Sequence, residues 1–302
     1  MFERFRTDQD SGLFADELRL ESSARETLFS LLVRVTLVLL LIFALFPFWM
    51  MLQTSLKPRS EIALAGFHPI PQAWTIEHYL QMWDVIPLVN YYFNSLLIAS
   101  VTTVLSLTIA GLAAYAFSRY EFPGKSTFEV SALATQMIPG ILILIPMFLL
   151  FTFLGQSGIP MKDTYWGMIF LYTTFTVPFA IWMLRGYIDT IPAALEEAAR
   201  IDGCSRLEAL YRIVFPLALP GFAATGMFVF LLAFNEVLFA SVMAPNKVTP
   251  FAIGIYDFME AYSTQLGPLM AASTTASLPI LIIFVAFNRQ IVSGLTAGSV
   301  KQ

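Results

Sequence analysis

The chain has 302 residues, 57% of them hydrophobic and 13% charged, with a formal net charge of −4. Soluble domains carry about 45–50% apolar and about 25% charged residues. This composition speaks against a water-soluble enzyme and excludes an intrinsically disordered chain. A single cysteine, Cys204, rules out an internal disulfide framework or a multi-cysteine metal site. Two histidines, His68 and His78, leave little room for a histidine-based metal site, and the acidic balance gives no reason to expect nucleic acid.

In chain order, residues 1–27 form a tail of mixed charge. Its segment Leu13 to Leu20 reads either as a short amphipathic helix on the membrane surface or as solvated chain. A bilayer span needs ~20 mainly apolar residues. Six segments qualify, at about 28–52, 92–118, 128–153, 165–184, 217–243 and 266–288. All are continuously apolar rather than alternating, so they predict helices and not barrel strands. The first is too long for a signal peptide, and Gln53-Thr54-Ser55-Leu56-Lys57 follows it instead of a cleavage site. The connection from Gln53 to Asn90 is rich in proline and predicts one short helix near residues 75–83, with Thr75 as its N-cap. The expected fold is an all-α integral membrane protein with six transmembrane helices, a membrane domain over 28–290 and a C-terminal tail over 291–302.

Orientation follows from Lys and Arg. Thirteen of them fall on the tail, the second-to-third and fourth-to-fifth connections, and the C-terminus. The opposite side holds only Lys57, Arg59, Lys162 and Lys247. Both termini are expected in the cytoplasm.

The connection from Arg185 to Pro216 is far longer than a simple turn. It predicts a helical hairpin over 190–214. Pro192 opens the first helix and Gly203 sits where a helix-ending glycine belongs. Ile191, Leu195, Ala198 and Ala199 are expected on one apolar face, with Glu196 pairing to Arg200 one turn on. Ser205-Arg206-Leu207-Glu208 is a capping box that starts the second helix. Pro216 and Pro220 then punctuate entry to the fifth span.

Glu197-Ala198-Ala199, Gly203, Ile213 and Pro216 stand at the spacing of the EAA loop, and on these residues the chain resembles the permeases of ATP-binding-cassette importers. The residue before Pro216 departs from that pattern: Phe215 stands where leucine is usual. Asn94-Ser95-Leu96, Ala113 to Arg119, Gln136-Met137-Ile138-Pro139, Pro178-Phe179-Ala180, Leu184-Arg185-Gly186, Phe234-Asn235-Glu236 and Gly294 to Gly298 resemble the maltose-type carbohydrate branch. The resemblance implies a type I importer permease fold in a bacterial or archaeal plasma (inner) membrane. It implies a second homologous permease, in a heterodimer, with two cytoplasmic ATP-binding subunits, an extracytoplasmic solute-binding protein and a sugar substrate. It further implies that Glu197, Ala198 and Gly203 meet the ATPase, with Ala199, Ile213 and Pro216 completing the coupling loop. ATP and Mg would be held by the partner subunits and no cofactor by this chain, which lacks a P-loop.

A substrate path needs polar or helix-breaking residues at membrane depth. Gln136, Pro139 and Gly140 in the third segment, and Asn235 and Glu236 in the fifth, are the candidates. For Glu236 the rival reading is a structural hydrogen bond to a neighbouring helix; for Pro139-Gly140 it is a simple kink. Ala110, Gly111 and Ala114 predict close helix contact, either within the chain or with a second permease. An integral membrane enzyme would need paired catalytic groups at depth, and Glu236 stands alone. A self-contained transporter or channel is the remaining alternative and fits the long hairpin less well.

Overall fold

The computed structural model describes residues 3–63, 68–84, 86–261 and 266–297, with side chains described only within 27–260 and 266–289. Among these residues there are helices and no strands. α1 (Glu3–Ser55) is one helix of 53 residues, so the tail's backbone runs helically into the first span. The side chains of Leu13 to Leu20 and of the stretch from Gly294 to Ala297, together with Gly298, lie outside what can be described. The short α2 (Arg59–Ile62) and α3 (Glu77–Gln81) follow. The Thr75 hydroxyl accepts from the backbone N–H of Glu77 at 3.1 Å, placing the predicted cap one residue outside the N-cap position.

α4 (Leu88–Arg119) and α7 (Tyr165–Ile188) cross the bundle as single helices. Between them the third apolar segment is broken. α5 (Lys125–Gln136) and α6 (Gly140–Gln156) meet at 98° across Met137 to Pro139. The expected continuous span over 128–153 is therefore two half-helices. Pro139 supplies the extended backbone (φ −56°, ψ 129°) that starts α6, and proline cannot continue the helix before it.

Beyond α7 come α8 (Ala193–Ile201) and α9 (Arg206–Ala209). α9 passes through a π-helical turn (Leu210–Val214) into α10 (Phe215–Phe234) without a stop. Pro216 was expected to separate hairpin from span. Instead the wider turn just before it, closed by the Phe215 N–H on the Leu210 carbonyl, accommodates a residue that has no N–H and would crowd an α-turn. The fifth segment also ends early: after Phe234 the chain breaks at Asn235 to Val237 and resumes as α11 (Leu238–Met243). α12 (Phe251–Ala261) and α13 (Leu266–Ala297) complete the chain. Among the described residues, five helices are long and apolar enough to cross a membrane, or six if the bent pair counts as one span.

α4 is the centre of the packing, lying against α7 and α10. Its small residues make this possible. Ala110 and Ala114 are fully buried, and a Cβ on Gly111 would sit 2.8 Å from the Phe222 ring of α10. A Cβ on Gly221 of α10 would sit 2.4 Å from the Tyr187 ring of α7. The small-residue stripe thus packs within this chain. α1 rests on α13, and its apolar window is wholly exposed within the chain, as befits a helix solvated by lipid.

The two ends of the bundle differ. One carries the hairpin and the α4–α5 turn. At the other, Asn94 donates to the Thr249 carbonyl (3.0 Å) and accepts from the Tyr165 hydroxyl (2.6 Å), while Ser95 accepts from the Phe251 N–H (2.8 Å). Asp163 there accepts from the N–H groups of Asn246 (3.2 Å) and Lys247 (2.8 Å). Buried His78 bonds the Lys57 carbonyl at 2.8 Å.

Candidate functional site: the hairpin and the two helix breaks

α8 has an outer and an inner face. Glu197, Ala198 and Gly203 are exposed, Ala199 is buried, Ile213 is half-buried and Pro216 is exposed. The helix ends in a full Schellman motif. The Cys204 N–H bonds the Ala199 carbonyl (3.0 Å) and the Gly203 N–H bonds the Arg200 carbonyl (3.1 Å). Gly203 adopts φ +96°, the left-handed region that glycine enters without penalty. The capping box at Ser205 is present, with Glu208 N–H to Ser205 Oγ at 3.3 Å and Ser205 N–H to Glu208 Oε2 at 2.8 Å.

Glu196 departs from expectation. It does not pair with the exposed Arg200 one turn on. It is 7% exposed and forms an ion pair with Arg119, the last residue of α4, while Tyr115 donates to its other oxygen at 2.9 Å. The inner face of α8 is therefore ionic as well as apolar. Burying a carboxylate is costly unless a charge and hydrogen bonds meet it, and Arg119 and Tyr115 supply both. Leu195 and Ala198 consequently turn outward. Ile201 (86% exposed), Leu207 (72%) and Tyr211 (76%) likewise leave apolar side chains in the open along the hairpin. Leu207 and Tyr211 open the long apolar helix that runs to Phe234, whereas Leu195, Ala198 and Ile201 lie on α8, which belongs to no span. Exposed apolar side chains that no span explains mark an interaction site.

The membrane-depth candidates form a second cluster, at the breaks. A Cβ built on Gly140 would lie 3.6 Å from both Leu238 and Phe239, so the start of α6 rests on α11. Phe239 packs tilted against Phe175 with ring centroids 4.8 Å apart, and Gln136 donates to the Phe175 carbonyl at 3.2 Å. The two breaks thus meet around α7. Asn235 donates to the Leu231 carbonyl one turn back (3.0 Å) and remains exposed. The Glu236 carboxylate accepts from the N–H groups of Phe239 (2.8 Å) and Ala240 (3.0 Å) and from the Tyr172 hydroxyl (2.9 Å). It caps α11 and ties it to α7. Thr174 and Thr176 bond back to the carbonyls of Phe170 and Tyr172, and Thr176 also meets Ser106 at 2.8 Å. Arg119 and Tyr115, within the stretch Ala113 to Arg119, are partners of the hairpin that local sequence pattern does not single out. Their one signal is an arginine ending a long apolar helix.

Among the described residues no group of three or more His, Cys, Asp or Glu side chains could hold a metal ion.

Residues 106–296 match the family described as "Binding-protein-dependent transport system inner membrane component". The chain belongs to this family. It is 39% identical over 272 residues to the inner membrane ABC transporter permease protein YcjP of Escherichia coli, covering 88% of this chain and 94% of that protein. It is 33% identical over 281 residues to the trehalose/maltose transport system permease protein MalG of Thermococcus litoralis, covering 91% and 98%. A solved bacterial ABC transporter for the acidic polysaccharide alginate has the same fold, at TM-score 0.73 and 21% identity over 87% of this chain and 96% of that one. The protein is thus a multi-pass inner-membrane permease component of a binding-protein-dependent importer, a transport subunit and not an enzyme.

Proposed function

We propose that this permease carries a neutral sugar or glycoside, and that the hairpin over 190–214 is where a cytoplasmic ATP-binding subunit docks. The observation that carries the docking reading is the two-sided hairpin: Leu195, Ala198, Ile201, Leu207 and Tyr211 are exposed on it while Glu196 anchors its other side to α4. Glu197, Ala198 and Gly203 lie on the exposed side and are the contact positions. Ala199, Ile213 and Pro216 shape the hairpin behind them. Both termini share the cytoplasmic side with the hairpin, in keeping with the bias of Lys and Arg. A second permease completes the pathway as a heterodimer, and an extracytoplasmic binding protein delivers the substrate. ATP and Mg belong to the ATP-binding subunits.

The saccharide class is supported by relatives named for trehalose/maltose, diacetylchitobiose and maltodextrin transport. It is also supported by the absence of a basic cluster in the spans that would suit an anion. The path passes the junction of the two breaks, where Gln136, Asn235 and the start of α6 at Pro139-Gly140 present polar groups at membrane depth and Glu236 holds the shape. The test is uptake by the purified complex, reconstituted in vesicles with its ATP-binding subunit and binding protein, over a panel of neutral and anionic sugars. Uptake of a neutral saccharide supports the reading, and uptake confined to anionic sugars or to non-sugars overturns it.

A further inference from the structure

Side chains of alternating charge run from the hairpin to the broken span. Glu196 of α8 pairs with Arg119 of α4. Arg119 also donates to the carbonyls of Ile188 (3.2 Å) and Ile191 (2.8 Å), so one guanidinium holds the corner between α7 and α8. Its Nη1 donates to Ser118 Oγ at 3.0 Å, and Ser118 donates to Asp189 Oδ1 at 2.5 Å. Asp189 Oδ2 lies 3.5 Å from Arg185 Nε, and Arg185 Nη1 lies 2.5 Å from Glu129 Oε1 on α5.

The far end of this chain of contacts is a half-helix with little else to hold it. No residue of α5 is fully buried. Beyond the Phe117–Phe128 ring contact at 5.5 Å, its links to the bundle include two polar tethers to α7: Glu129 to Arg185 near its start and Gln136 to the Phe175 carbonyl at its end. Gln136 sits at the 98° break, beside the proposed path. Partly exposed ion pairs such as Arg185–Glu129 add little stability. What they can fix is where a lightly packed helix stands.

We propose that the series Glu196–Arg119–Ser118–Asp189–Arg185–Glu129 is a positioning device. It carries displacement of the hairpin into α5 and so to the break at residues 137–139. The proposal rests on the docking reading above. Without docking there is no displacement to carry. Arg185 and Glu129 act through α5 and touch neither substrate nor the ATP-binding subunit.

The experiment uses the full reconstituted complex with Arg185→Gln, with Glu129→Gln, and with both. Retention of the ATP-binding subunit, ATP hydrolysis and uptake are measured together. The expected result is retained subunit, retained hydrolysis and an unchanged thermal midpoint, with uptake per ATP reduced about fivefold or more in each single variant. The double variant should be no worse than either, because the two residues form one link. Unchanged uptake per ATP in both single variants overturns the proposal. So does loss of the ATP-binding subunit or a parallel fall in hydrolysis and uptake, which would make the pair a support of the docking surface. The docking reading is judged separately, by whether Ile201→Asp in the otherwise native complex releases the ATP-binding subunit. Retention there sinks docking, while the uptake-per-ATP ratio judges the link.

Discussion

The Tyr172 hydroxyl donates to Glu236 at 2.9 Å while the same carboxylate accepts two backbone N–H groups at the start of α11. An acid just beyond the end of α10 is thus engaged in holding one helix fragment against another. Glu236→Ala strands two N–H donors and a hydroxyl, at a cost of about 2–4 kcal/mol from loss of the cap and of a charged hydrogen bond. Tyr172→Phe removes one partner and should cost about 1–2 kcal/mol. Thermal unfolding of the purified complex checks the order, with wild type above Tyr172→Phe and that above Glu236→Ala. Equal midpoints for Glu236→Ala and wild type would show that the cap holds nothing.

At Gly203 conformation and space can be separated. A Cβ there would meet nothing within 4 Å, so substitution strains the backbone at φ +96° without a clash inside the chain. Gly203→Ala should cost about 1–2 kcal/mol and leave a folded permease with reduced uptake. Gly203→Asp adds a charge on the proposed docking side and should abolish uptake and weaken retention of the ATP-binding subunit while the spans still insert. Full uptake with Gly203→Asp removes this loop from coupling.

Ile201 and Tyr211 are exposed at 86% and 76%, so replacing them costs the isolated permease little. Ile201→Asp with Tyr211→Ser should leave the thermal midpoint of the permease unchanged and lower co-purification of the ATP-binding subunit at least tenfold, equivalent to about 1.4 kcal/mol. Undiminished co-purification would place the docking surface elsewhere.

Helix approach gives a prediction of opposite kind. A Cβ on Gly221 would fall 2.4 Å from the Tyr187 ring, whose base belongs to α7 and cannot swing clear. Gly221→Val should destabilise by about 1–3 kcal/mol or more through overpacking. Gly186→Ala is the control, since a Cβ there meets nothing within 4 Å. Comparable midpoints for the two variants would mean that α7 and α10 are farther apart than the ring position implies.

The paired variants at Arg119 and Glu196 test what burial does to charge. Arg119→Met leaves Glu196 buried without its ion pair and should cost about 3–5 kcal/mol. Arg119→Met combined with Glu196→Met should recover much of that loss, because neither charge is then buried alone. A double variant less stable than the single, by thermal unfolding, would show that the pair stabilises by more than mutual neutralisation.

Features whose cause lies within a few residues could be read from the chain alone. Apolar runs long enough to cross a bilayer locate the spans, because lipid demands helices whose backbone groups bond internally. The Ser205 capping box and the ending of α8 at Gly203 are local too, being bonds among residues at most five apart. Nothing local chooses Arg119 over Arg200 as the partner of Glu196. At i and i+4 Arg200 is always in reach, but it is in solvent, and the buried alternative arrives from α4, 77 residues earlier. The same holds for the breaks. Pro139 announces an irregularity, yet whether it is a bend or a 98° fracture depends on α11 and Phe175 being there to cover the exposed backbone. Pro216 shows the reverse case: a residue that stops most helices is carried through by a π-turn whose wider ring leaves room for it. Short-range chemistry writes the ends and lengths of the helices. Which charges and which broken ends face one another is set by packing between segments far apart in sequence, where burial raises the energy of an unmet polar group enough to choose its partner.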